Sequence, residues 1–495
     1  MSEGAKISRA MAVLHGLIIA FLAVLLVYGG SKYAFAPADG VSTLFVITPL
    51  LGLVLFIGLL QVPDDMRSNV ILSTVSLGVC LYLIEIAAVV WGQGTDISQG
   101  FKEKSAVMER YRRQGERAFP TSYPETFYDR PVKSTRGPDI FPLGTVSNVV
   151  SVFCKEAGEL MVYKTDRHGF HNEDSVWDAE SKPIVLIGDS FTTGACVASE
   201  NNIAATLQGL TGEKVLNLGV AGGGPLAYLA VIREYLPGLK LRDVYWIHFE
   251  ANDLMNVVDE MKNPILRRYT DSEFSQNLKR RQDEIDEGLE IFLNDSYREF
   301  GMRIEKDENV SISETLIDSE RRAAFFKKYI TDVLLLRNTR FLVQTIVGTR
   351  FLTAQTNNAE WMYPVANPLP AGGTMTAVDA EKYCGNPSFG LFKDAFDRGL
   401  KEVSTLGAKL NFVYIHDVHS GLEGRLDNLQ YLCVRQFVES KETLFIDFTD
   451  SLIPPDRSRV LYAYPKGGHF SERGYEMAGH TIARSMGSLI HKKPE

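Results

Sequence analysis

Hydrophobic positions fall into two regimes along the chain: three long apolar stretches at the start, then short apolar runs separated by amphipathic segments. Residues 11–30, 41–60 and 68–92 carry almost no charge, and each is at least the roughly 20 residues a helix needs to cross a hydrocarbon core. They predict three transmembrane helices, with Tyr28, Tyr33 and Trp91 at interfacial positions. The first stretch has no small-residue cleavage site and two more follow it, so it reads as an anchor instead of a signal peptide. Farther on, branched apolar runs at 184–188, 215–219, 243–249, 409–415 and 443–447 alternate with helical stretches, the pattern of a parallel sheet covered on both faces.

Three domains follow from this pattern: a membrane domain over 1–92, a connector over 93–175 and an α/β domain over 176–495. Pro120, Pro124, Pro131, Pro138 and Pro142 make the connector too irregular for one element, so it is expected to be a stalk plus an entry segment. Residues 145–153 and 160–164, separated by Lys155-Glu156-Ala157-Gly158-Glu159, predict a β-hairpin. Residues 166–172 lead to the first core strand as a piece of crevice wall. Residues 254–395 are far too long for one crossover and predict a mainly helical insertion over the crevice, with a lid or a docking surface as the sharper reading.

Open α/β sheets work at the carboxyl ends of their strands. There the first run ends in Gly188-Asp189-Ser190, the second enters a glycine-rich turn at Gly222, and the third ends in Glu250-Ala251-Asn252-Asp253. Gly467-Gly468-His469 precedes the last helix. Each block alone has an ordinary explanation as a cap, a tight turn or a loop. Taken in this order, Ser190, Gly222, Asn252 and His469 resemble the four blocks of the SGNH (GDSL-type) hydrolases over about residues 160–490.

The resemblance implies a flavodoxin-like three-layer α/β/α domain in which Ser190 attacks an acyl carbon and His469 takes its proton. It also implies an oxyanion hole built from the Ser190 and Gly222 N–H groups and the Asn252 amide. The chemistry needs those residue types, because a serine hydroxyl is a weak nucleophile without a base and a developing oxyanion needs fixed donors. One departure stands out. The family's acid lies three residues before the histidine, where this chain has Lys466. Asp447, Asp450 or Asp456, or a backbone carbonyl, is expected to orient His469 instead; failing that, the site is a dyad or an inactive scaffold. Asp189 and Asp253 are expected to brace their own loops. His416 and His419, at the end of another run, read as substrate contacts or hydrogen-bonding groups, since their spacing with Asp417 is no recognised zinc framework.

A net charge of -9 and the lack of a basic aromatic surface motif exclude nucleic acid as the expected partner. No nucleotide cofactor is expected, as no phosphate-cradling glycine loop occurs, and no metal, as the histidine spacing is no recognised ligand framework. Cys154, Cys196, Cys384 and Cys433 permit up to two disulfides of undetermined pairing, with Cys80 in a span and Cys196 read as a small buried hydrophobe. Lys6 and Arg9 place the N-terminus in the cytoplasm and the large domain outside; the basic cluster at Lys102, Lys104, Arg110 and Arg112 argues the other way, but long domains cross largely regardless of charge. The segment 101–119 either lies along anionic headgroups or is a solvated helix. Glu85, inside the third span, either meets a membrane-protein partner or reaches toward the interface.

The expected function is that of a serine esterase or O-acyltransferase anchored in a bacterial inner membrane. It would act in the periplasm or elsewhere outside the cytoplasmic membrane on acyl esters, acetyl above all, of envelope carbohydrate. The alternative is an inactive SGNH scaffold that binds a glycan or a membrane partner.

Overall fold

The computed structural model describes residues 12–24, 26–27, 40–63, 66–76, 80, 82–83, 96–128, 130–134, 136–156, 158–298, 384–417, 429–448, 461–462 and 468–487. The chain divides into two compact units, Met1–Gly100 with Asp307–Tyr363, and Phe101–Lys306 with Pro364–Glu495.

In the first unit, residues 12–24 and 66–76 are helical, as is Gly40–Gly58 (α1). Phe56, Leu59 and Ile71 form a small buried cluster against Leu14, Ile18 and Leu22, and the His15 Nε2–H donates to the Phe56 carbonyl at 2.7 Å. Among the described residues no helix is long and apolar enough to cross a membrane. Among the described residues of this unit the longest helix, α1, has 19 residues and rises about 28 Å, just short of a hydrocarbon core of about 30 Å. Three spans are therefore not found as expected. The ends of the first and third lie outside the described residues, as do Tyr28, Tyr33, Glu85 and Trp91.

The second unit begins with helix α2 (Asp96–Arg113, of which residues from Phe101 on belong here) and a three-stranded sheet of β1 (Ala118–Pro120), β2 (Val150–Val152) and β3 (Val162–Lys164). Strands β2 and β3 pair antiparallel, which is the expected hairpin with shorter strands. The main sheet holds β4 (Ile184–Gly188), β5 (Val215–Gly219), β6 (Asp243–Phe249), β7 (Lys409–Ile415) and β8 (Phe445–Asp447) in the order β5-β4-β6-β7-β8, all parallel. Between and after these strands come α3 (Ser190–Thr193), α4 (Ile203–Thr211), α5 (Pro225–Tyr235), α6 (Asp253–Glu260), α7 (Gln282–Arg298), α8 (Pro387–Thr405), α9 (Leu429–Glu439) and α10 (Glu472–Ser485).

Strand alternation sorts the side chains into two cores. Val185, Ile187, Trp246 and Phe412 face α5, α8 and α9, whereas Ile184, Leu186, Ile247 and Val413 face α4 and α10. The result is the three-layer α/β/α arrangement, and every residue of β4 is buried because both faces are covered.

The connector is not a stalk. Phe119, Phe127, Ile140 and Phe141 are fully enclosed in the same core as β4 and α5, so residues from 101 onward are integral to this unit. The signal that misled is physical: isolated aromatics between prolines bury area without any period. Residues 166–172 dock on the outer edge of the sheet. Asn172 accepts from the Asn217 N–H and donates to its carbonyl, both at 2.8 Å, filling the place of a neighbouring strand beside β5. The described start of the insertion packs on the connector: the Asp286 carboxylate of α7 accepts from Ser147 N–H at 2.9 Å and Ser147 Oγ at 2.6 Å. Residues 299–383 lie outside the described residues.

Two disulfides join Cys154 to Cys196 and Cys384 to Cys433. Cys196 is thus half of a cystine and not a free apolar filler.

Candidate active site

Ser190 opens the four-residue helix α3 directly after β4. Its neighbour Asp189 caps that helix, accepting from the Phe191 N–H at 2.9 Å. The sharp exit from the strand needs Gly188, because a Cβ there would lie 2.2 Å from Thr192 Oγ1 and 2.7 Å from the Ile247 carbonyl. Phe191 is buried against Phe249, Phe470 and Tyr475, which anchors the turn and leaves Ser190 at the carboxyl edge.

His469 reaches this serine from just before α10. Its Nε2 accepts from the Ser190 hydroxyl at 2.8 Å, and its ring packs on Phe191. The other nitrogen, Nδ1–H, donates to Glu156 Oε1 at 2.6 Å, while the backbone N–H of His469 meets Glu156 Oε2 at 3.2 Å. A carboxylate holding both the ring and the backbone of the base fixes tautomer and direction together. Burial pushes the Glu156 carboxyl up, but hydrogen bonds and charge from His469 outweigh it and hold it below the ordinary carboxylate range.

Glu156 was not expected from the sequence. It sits 313 residues before the histidine, in the tip of the β2–β3 hairpin. The usable signals were an acid in a hairpin loop two residues from a cysteine, and the missing acid at 466. Of the expected orienters, Asp447 is engaged elsewhere: it accepts from the Tyr431 hydroxyl and lies 3.4 Å from His416 Nε2. Asp450 and Asp456 lie outside the described residues, as does His419.

Gly222 follows β5 and Asn252 follows β6, the two strands that flank β4, so the expected oxyanion donors converge on the Ser190 edge. Gly222 has φ 79°, a left-handed conformation that turns the loop back without Cβ strain. Asn256 Nδ2 donates to the Gly222 and Gly223 carbonyls, each at 3.2 Å, tying this loop to α6. Asn252 is the N-cap of α6, yet its side chain makes no capping bond and rests against the Asp189 carboxyl. A second residue the sequence did not reveal is Glu125, whose Oε1 would lie 3.0 Å from a Cβ at Gly222.

Beneath the edge, buried acids brace the loops as expected for Asp189 and Asp253. Burial and the neighbouring Asp253 push Asp189 up to about 7. Asp253 is raised by burial, accepts from the Tyr228 hydroxyl at 2.9 Å and stands 2.9 Å from His248, which burial pushes down to about 3. Glu260, pushed up to about 7 by burial, accepts the N–H groups of Gly224, Leu226 and Ala227 at the start of α5.

His416 is fully buried, 3.3 Å from Glu250 and 3.4 Å from Asp447, and joins the ends of β6, β7 and β8. It takes the hydrogen-bonding role of the two expected for it; enclosure removes it from substrate. Among the described residues, Glu156, Cys196 and His469 are the group whose ligand atoms lie within 4.8 Å of one another, and the sulfur of that group is committed to a disulfide. The set suits proton transfer, not metal binding. No known family and no curated protein matches the chain.

Proposed function

We propose that the chain is a serine hydrolase or O-acyltransferase of the SGNH type, working through an acyl-enzyme. The observation that carries this reading is the continuous hydrogen-bonded series Ser190–His469–Glu156 at the carboxyl edge of a parallel sheet. His469 Nε2 takes the Ser190 proton as Oγ bonds the acyl carbon. The oxyanion that forms turns toward the Ser190 and Gly222 N–H groups and the Asn252 amide. The same proton passes to the leaving alkoxide, and water or a sugar hydroxyl then resolves the ester. Glu156 carries negative charge beside the imidazolium and balances it throughout.

The substrate proposed is an acyl ester, acetyl above all, on carbohydrate of a bacterial envelope. Anchoring in the inner membrane is supported by exposure: Leu17, Phe21, Leu51, Val54 and Leu72 are each more than half exposed, and among the described residues all but three of the exposed large apolar side chains fall between 13 and 83. An extracytoplasmic catalytic unit is supported by its two disulfides, which persist in oxidising compartments. The inactive-scaffold alternative drew on the missing acid before His469 and on Glu85; the bond from His469 to Glu156 weighs against the first of these, and Glu85 lies outside the described residues. Labelling of the intact protein by a fluorophosphonate, lost in Ser190→Ala and in His469→Ala, tests the reading. A folded wild type that never labels would end it.

A further inference from the structure

Glu156 is attached to the rest of the site in an unusual way. Beyond the β2–β3 ladder the Phe153 N–H donates to the Met161 carbonyl and the Met161 N–H donates to the Cys154 carbonyl, each at 2.9 Å. The loop beyond them holds Glu156. Lys155 of that loop also pairs with Glu103 at 2.8 Å, a surface ion pair exposed on both sides and worth little. Two residues before Glu156, Cys154 is bonded to Cys196. Cys196 lies six residues after Ser190, is 2% exposed and holds a φ of 63°. The segment between is rigid, since Ala195 N–H bonds the Ser190 carbonyl at 2.9 Å and the Tyr475 hydroxyl bonds the Ala195 carbonyl at 2.9 Å. The Cys196 sulfur stands within 4.8 Å of the facing Glu156 and His469 atoms.

We infer that the Cys154–Cys196 disulfide is a positioning device that clamps the hairpin acid to the nucleophile loop, so that the relay is complete only in the oxidised protein. The inference rests on the hydrolase reading above. A hairpin tip beyond its last ladder bonds opens at small cost, and an error of about 1 Å in a catalytic carboxylate costs on the order of 100-fold in rate. Dithiothreitol converts the cystine to two thiols and becomes a cyclic disulfide itself; the hairpin stays in its apolar cluster of Phe153, Tyr163 and Ala221 while the tip swings free.

The test uses the full-length protein and an ester substrate or fluorophosphonate. Cys154→Ser/Cys196→Ser is expected to lose about 10- to 100-fold in kcat with KM little changed. Adding Glu156→Gln to that variant is expected to cost far less than Glu156→Gln costs alone, since both act through one interaction. Cys384→Ser/Cys433→Ser, which breaks the distant disulfide, is expected to keep wild-type kcat. In that background, dithiothreitol should lower activity and reoxidation restore it, with melting curves showing the fold intact; this arm also decides the matter if the serine pair fails to fold. A reduced protein with undiminished kcat, or losses that multiply with Glu156→Gln, would overturn the clamp while leaving the hydrolase intact. Absence of activity in oxidised wild type would overturn both.

Discussion

Glu156→Gln keeps the shape of the site but lets an amide donate where His469 needs an acceptor. Loss of the equivalent charge in a serine triad costs about 10⁴-fold, and a fall in kcat of about 10³- to 10⁴-fold is expected here, measured by steady-state hydrolysis. A variant within tenfold of wild type would show that another group orients His469. Asp189 offers a test by pH. Its folded pKa of about 7 exceeds the ordinary 3.8, so the folded state keeps a proton that the unfolded chain gives up. The stability it contributes is present below about 4 and is lost as pH rises through about 7. Asp189→Asn removes that dependence and can still accept from Phe191, so its melting temperature relative to wild type should climb between pH 5 and pH 8. A constant gap would mean that Asp189 is charged in the fold. At this scale Ser190 and His469 were legible in the sequence because their blocks adjoin strands or a helix. Glu156 was not, because its neighbours in space are remote in the chain and nothing local in a hairpin tip announces a catalytic acid.

Elements were more legible than single residues. The first four core strands occupy the expected positions, since strands buried on both faces must be unbroken apolar runs and glycine marks where they turn. Gly188→Ala probes that turn directly: a methyl group would meet the Thr192 hydroxyl and the Ile247 carbonyl. Chemical denaturation should show a loss of about 1–3 kcal/mol, the cost of overpacking a tight interior. An unchanged midpoint would refute the claim that glycine is needed for close approach. The connector was misread for the opposite reason. Phe119, Phe127 and Phe141 each fill a separate place in the core, and no periodic pattern connects them.

For the whole molecule, the membrane anchor and extracytoplasmic chemistry proposed above can be tested in cells. In a bacterial host the protein should pellet with membranes and resist alkaline carbonate; release into the supernatant would exclude an integral anchor. The origin of the three site groups also bears on synthesis. The acid comes from residue 156, the nucleophile from 190 and the base from 469. A growing chain can fold its hairpin and first strands while it holds a serine with no partner to activate it. The last group to leave the ribosome is the one proposed to activate the serine, so the order of synthesis itself keeps the proposed nucleophile without its base until the domain can close.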